Sequence, residues 1–224
     1  MSPSRIAVLV SGRGSNLQAI LDAIEAGALD ASIAGVFSDR QQAPALQRVA
    51  EPLRWSRSPK DFADRASFDL TLADAVQQAQ PDWIVCAGYM RILGDAFIAR
   101  FRGRLLNIHP SLLPRHRGLH THARALEAGD TRHGASVHFV APELDAGPVI
   151  AQASIPVLQG DTPETLATRL LPHEHALLAA TLQLACTGRL SEQGATVHLD
   201  GQPLFSPLQL DSSGNLTLSS PPVL

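Results

Sequence analysis

The sequence predicts an α/β fold: a doubly wound, mostly parallel central sheet with helices on both faces, followed by a small C-terminal hairpin. Three observations predict it. Runs such as residues 6–10 (Ile-Ala-Val-Leu-Val) and 83–87 (Trp-Ile-Val-Cys-Ala) are apolar throughout. Parallel strands covered on both faces read this way, whereas a strand wet on one face alternates. Helical patterns separate the runs, which implies right-handed strand–helix–strand crossovers. Glycines close the first of them, at Gly12 and Gly14, and the later one, at Gly88.

The elements follow in order. After the first strand, Gly12 to Gly14 form a tight turn, and residues 17–26 read as a helix closed by Gly27. Residues 33–37 are the second strand. Helical patterns cover 43–50 and 61–79, around a short strand near Leu53-Arg54-Trp55. Strand 83–87 is followed by a short helix at 95–101 and by strand 105–109. A helix at 121–128 precedes strand 136–140, and strand 149–157 follows the turn Asp145-Ala146-Gly147-Pro148. Thr162 is a good N-cap with Pro163 at the first helical position; the helix they start runs to Cys186 and stops at Gly188. Residues 195–199 and 203–208 flank Asp200-Gly201 as a hairpin, and 211–224 form a polar tail.

With 224 residues, 45% of them hydrophobic and 17% charged, the chain suits one domain with a full core and a small appendage. A net charge of −3 gives no basic footprint for nucleic acid or acidic lipid. No apolar stretch approaches the roughly 20 residues that span a bilayer, and the early apolar run leads into a glycine turn rather than a leader cleavage site. Cys86 and Cys186 lie far apart in apolar surroundings and read as reduced, so a cytoplasmic setting is expected. Nine histidines raise the question of a metal, but neither His-Glu-x-x-His nor any zinc spacing occurs, and none is expected.

The chemistry concentrates at Leu105-Leu106-Asn107-Ile108-His109-Pro110. Side chains alternate along a strand, so Asn107 and His109 project from one face. Pro110 and Pro114 force a loop directly after them. Asp145 sits in a Gly/Pro turn and by itself reads as an ordinary turn former. Paired with His109, it would favour the protonated imidazole and accept a proton, while Asn107 would donate to a carbonyl oxygen as charge develops there. Such a set suits attack of an amine on a carbonyl carbon. Glu174 lies on the apolar stripe of Leu166, Leu170 and Leu177, where a carboxylate either faces a cleft or sits at the edge of the face. Ser11-Gly12-Arg13-Gly14-Ser15-Asn16 opens the first helix and suits a phosphomonoester, the alternative being a plain capped turn. Arg65 and Arg91 are candidate anion hands, the loop Tyr89 to Gly94 suits a flat ring with a carboxylate tail, and His120 and His138 are auxiliary candidates.

Several motifs now stand in register: Ser11 to Gln18, Ala87 to Leu93, Asn107 to Pro114, and Gly134 to Val140 with Asp145 to Ile150. Over residues 6–190 the set resembles the phosphoribosylglycinamide formyltransferases, folate-dependent enzymes of de novo purine synthesis. The resemblance implies transfer of a formyl group from 10-formyltetrahydrofolate to the amine of glycinamide ribonucleotide, without a metal. It implies Asn107, His109 and Asp145 as the catalytic trio, Gly14, Ser15 and Asn16 as phosphate contacts, and Glu174 as a ribose or amine contact. The folate pocket it implies comprises Arg65, Met90, Arg91, Ile92, Leu93, Val140, Ala141 and Glu143. On this reading residues 1–190 are the formyltransferase domain, with a phosphate-binding first half and a folate-binding, catalytic second half; 191–224 are hairpin and tail. The partners implied are the two small molecules, with no nucleic acid or membrane, and a monomer or weak homodimer.

The sequence also departs from the family pattern, and two related enzymes are alternatives. Arg115-His116-Arg117-Gly118 resembles methionyl-tRNA formyltransferases, which lack the Gly-Ser-Asn turn and carry a further RNA-contacting domain. Formyltetrahydrofolate hydrolases share the trio but usually carry an added N-terminal domain, whereas this chain starts at the first strand. Leu171 stands where relatives often have a polar residue.

Overall fold

The computed structural model describes residues 2–218. Its main sheet is built from β1 (Ser4–Val10), β2 (Ala31–Ser38), β3 (Arg54–Ser56), β4 (Trp83–Cys86), β5 (Leu105–His109), β6 (Arg132–Phe139) and β7 (Val149–Pro156), with two short late strands. The helices are α1 (Ser15–Glu25), α2 (Arg65–Gln78), α3 (Asp95–Arg100), α4 (Thr121–Glu127) and α5 (Pro163–Cys186). A separate antiparallel sheet holds β8 (Leu190–Gln193), β9 (Thr196–Leu199) and β10 (Gln202–Pro203), while β11 (Leu208–Leu210) and β12 (Leu216–Thr217) return to the main one. The main sheet has nine strands in the order β12-β11-β7-β6-β5-β4-β1-β2-β3. Strands β3, β2, β1, β4 and β5 run parallel, and β6 is antiparallel to both of its neighbours.

The apolar runs make two cores at once because the pleat sends successive side chains to opposite faces. Ile6, Val8, Val10, Trp83 and Val85 pack with α1 and α5 residues such as Leu17, Ile20 and Leu177. Ala7, Leu9, Ile84 and Cys86 pack with Phe68 and Leu72 of α2 and Phe97 of α3. The strand order reverses between β1 and β4, and a doubly wound sheet opens its binding crevice outside the carboxyl ends of the strands at such a point. The loops after β1 and β4 border that crevice, joined by Ser11, whose N–H donates to the Gly88 carbonyl at 3.1 Å.

Some boundaries differ from expectation. Residues 43–50 do not form an α-helix: only Pro44–Arg48 coil, as a 3₁₀ turn, between extended backbone at Ala43 and Val49. Two prolines eight apart leave no room for a longer helix, and the turn is tied down by Ala45 N–H donating to the Gly12 carbonyl at 3.1 Å. The helix expected from 61 starts at Arg65, because Asp64 caps it by accepting from Ser67 N–H while Ser67 returns the contact. Thr162 caps α5 as expected, and Thr165 completes its capping box. Asp200-Gly201 makes the expected two-residue turn, but 208–210 leave the hairpin to pair parallel with β7. Of the polar tail, residues 219–224 lie outside the described residues. No helix among the described residues is long and apolar enough to cross a membrane.

Candidate active site

Strands β5 and β6 pair so that Asn107 stands opposite His138. His138 is buried, and its Nδ1–H donates to the Phe139 carbonyl at 2.8 Å. Its Nε2 is thereby left as an acceptor and takes a hydrogen bond from Asn107 Nδ2 at 3.0 Å. Burial pushes the His138 pKa down to about 4, so the ring is neutral and holds the Asn107 amide in one orientation. The turn after β6 brings Asp145 beside this pair, with Oδ1 3.5 Å from Asn107 Nδ2. Asp145 Oδ2 accepts from Gly118 N–H at 2.8 Å and lies 3.5 Å from His109 Nδ1. His109 Nε2 lies 3.1 Å from the His116 carbonyl. A carbonyl only accepts, so it keeps the hydrogen on Nε2 and turns Nδ1 toward Asp145.

The three groups open into a cavity of about 520 Å³ that reaches Asn16 at the start of α1 and Glu174 of α5. A second, smaller cavity adjoins it, walled by Cys86, Leu93, Val140, Ala141 and Leu144 and floored by Asn107 and Asp145. At the α1 end, Gly14 takes φ +74° and no side chain caps the helix, so its first N–H groups are open to an anion. Arg48 braces the turn from behind, donating to the Arg13 carbonyl at 2.9 Å and to Gln18 Oε1 at 2.7 Å. Ser11 Oγ donates to buried Asp39 at 2.5 Å and accepts from Met90 N–H at 2.9 Å, locking this turn to the loop after β4.

A comparison with known protein families matches residues 4–182 to the formyl transferase family. The chain belongs to that family. This formyl transferase is 44% identical over 201 residues to the phosphoribosylglycinamide formyltransferase of Escherichia coli, covering 89% of this chain and 95% of that protein. It is 40% identical over 206 residues to the enzyme of the same name from Haemophilus influenzae. These span 89% of this chain and 95% of that one. The solved phosphoribosylglycinamide formyltransferase of Coxiella burnetii superposes with a TM-score of 0.85 at 46% identity, over 90% of this chain and 96% of that one.

In this formyl transferase, the structure brings Asn107, His109, Asp145 and His138 together, and places Asn16, His120 and Glu174 on the wall of the same cavity. Gly14 and Ser15 shape the turn without lining that wall. Met90 and Ile92 are exposed on its rim, while Leu93 is buried behind it. Arg91 stacks over the Phe68 ring at 5.2 Å. Arg65 stays outside both cavities, donating to the Ile92 carbonyl at 2.5 Å. Glu143 is also outside them and pairs with Arg117 at 2.7 Å. No group of described residues is arranged to hold a metal. Sequence reasoning missed the main-chain contacts of His116 and Gly118, and also Thr121, Leu144 and Cys86. A glycine inside the charged run 115–118 was the one signal for the first of these.

Glu174 is 8% exposed, and burial raises its pKa from 4.5 to about 7, opposed by a hydrogen bond from Asn16. The fold therefore prefers the protonated acid. That contribution is complete below about pH 4.5 and is lost as pH rises through about 7. The displacement corresponds to about 3 kcal/mol. Glu174→Gln removes it, so the variant is expected to melt with the parent near pH 4.5 and several degrees above it at pH 8. Equal melting temperatures at pH 8 would contradict the buried, ionising carboxylate.

Proposed function

We propose that this chain is a phosphoribosylglycinamide formyltransferase, which moves the formyl group of 10-formyltetrahydrofolate to the amine of glycinamide ribonucleotide. The observation that carries this reading is the approach of Asp145 to His109, 3.5 Å apart beside Asn107, in a cavity that also reaches Asn16 and Glu174. The helix start at Ser15 and Asn16 takes the phosphate, Gly14 giving the backbone its approach. Glu174 takes the ribose or amine region. The flat ring of the donor enters the smaller cavity, against Leu93, Val140 and Ala141, with Met90 and Ile92 on the rim. Arg91 and Arg65 meet the carboxylates of its tail, and Glu143 acts through the loop that Arg117 ties to it.

The amine nitrogen attacks the formyl carbon, and the carbonyl oxygen takes up the electron pair. Asn107 has one N–H committed to His138, which fixes the amide plane, and its second N–H makes only a long contact to Asp145, so the second is the one available to an oxygen placed beside it. His109, fixed through Nε2, turns Nδ1 toward Asp145 at the edge of the cavity. Preorganised donors aimed at developing charge usually contribute more to such catalysis than any other single effect. As the tetrahedral centre collapses, the bond to the donor nitrogen breaks. The amine loses one proton and the donor nitrogen gains one, with Asp145 as acceptor and relay. The carbon is neither oxidised nor reduced, and no covalent bond to the protein forms.

The test follows the absorbance of the formyl donor with and without glycinamide ribonucleotide. Consumption is expected to require the ribonucleotide. Consumption at the same rate without it would identify a hydrolase instead.

A further inference from the structure

The loop between β5 and α4 is pinned from outside both cavities. Asp130 stands in the turn between α4 and β6, with its side chain 7% exposed. Its two oxygens engage two consecutive residues of that loop. Oδ1 pairs with Arg115, and Oδ2 lies 2.7 Å from His116 Nε2. His116 is held at φ +53°, a left-handed conformation uncommon for residues with a side chain but one that histidine tolerates better than most. This conformation goes with a His116 carbonyl aimed at His109 Nε2, 3.1 Å away. Two residues on, Gly118 at φ +81° delivers its N–H to Asp145 Oδ2 at 2.8 Å. The main chain of one short loop thus orients both members of the His109–Asp145 pair; Ser111, Arg124 and Glu143 also hold this loop, and Asp130 is the buried carboxylate that grips its Arg115 and His116 side chains.

We propose that Asp130 is a positioning residue for formyl transfer, acting through His116. The proposal rests on the formyl-transfer reading of the site. Neither Asp130 nor His116 lines the cavities where the substrates are placed, so their loss should spare binding. Released from Asp130, the 115–118 loop no longer presents the carbonyl that fixes the His109 tautomer, nor the N–H that fixes the Asp145 carboxylate. Misplacement of catalytic groups by about 1 Å is enough to cost up to a hundredfold in rate.

The experiment compares Asp130→Asn, His116→Phe and the double variant. Asp130→Asn is expected to lower kcat between about tenfold and a hundredfold, with both KM values within about threefold of the parent. The double variant should fall no further than the more impaired of the two single variants, because both substitutions act on the one contact between residues 116 and 130. A kcat within twofold of the parent would overturn the proposal. So would a loss carried by KM alone, or losses that multiply fully. If Asp130→Asn does not fold, His116→Phe decides by the same kcat and KM criteria.

A second readout does not depend on turnover. Side-chain nitrogen NMR of His109 is expected to show the Nε2–H form in the neutral parent and a mixture of tautomers in the variants; unchanged tautomers would overturn the proposal. An inactive parent with the NMR change intact would count against the formyl-transfer reading and leave the loop's role standing.

Discussion

Asp145→Asn is expected to lower kcat by at least about a hundredfold while both KM values stay within a few-fold of the parent. The carboxylate is nearly enclosed, with its side chain 8% exposed, and each of its oxygens has a task. Oδ2 holds the Gly118 N–H and faces His109, and Oδ1 faces Asn107 and, at 3.7 Å, His138. An amide can accept through one oxygen only. If that oxygen keeps the Gly118 bond, its NH₂ is turned toward the NH₂ of Asn107, donor against donor. Charge is lost beside His109 Nδ1 as well, and no group remains to accept the proton from the amine. The shape of the cavity changes little, which is why binding should survive. Steady-state kinetics at saturating concentrations of both substrates is the measurement, and a kcat within tenfold of the parent would remove Asp145 from the reaction.

Gly14→Val is expected to raise the KM for the ribonucleotide by at least about tenfold and the KM for the folate by no more than about twofold. Gly14 adopts φ +74°, where a β-branched residue is an outlier. A Cβ built there falls 2.6 Å from Ala45 Cβ and 3.1 Å from Ala45 Cα. Ala45 cannot retreat easily, since it is fully buried and its N–H is bonded to the Gly12 carbonyl. The turn must therefore move, and it takes the first N–H groups of α1 with it. Equal rises in both KM values, or a fall in melting temperature large enough to unfold the variant at assay temperature, would show general damage instead of a lost phosphate site.

The parallel strands were legible because burial on both faces leaves no polar position in residues 6–10 or 83–87. The Asn107–His109 spacing was legible because a period of two needs no tertiary information. The pairing of Asp145 with His109 was not, since 36 residues separate them and only the β5–β6–turn connection closes the gap to 3.5 Å. His138 could be suspected but not placed, as its role depends on standing opposite Asn107 across two strands. The loop around His116 and Gly118 was invisible for another reason: it acts through a carbonyl and an N–H, which nearly every residue carries. The false helix at 43–50 came from the apolar spacing of Ala43, Ala45, Leu46 and Val49, all of them buried. That spacing reflects packing beneath the glycine turn and not a helical face. Strands β8, β11 and β12, two to four residues long, fall below what periodicity can detect.

The ends of the nine-stranded sheet are its shortest parts. At one edge lies β3, with three residues, and at the other β12, with two. The longer β7, eight residues, would be the border of the sheet if residues 208–217 did not fold back over part of it. Long, flat, unpaired borders are what let one molecule zip onto the next and seed insoluble fibres. Among the described residues the two outermost strands are short, and β11 pairs with β7 at Ala151 and Gln152. Residues 208–217 therefore cover part of a border that would otherwise be open to the backbone of another copy.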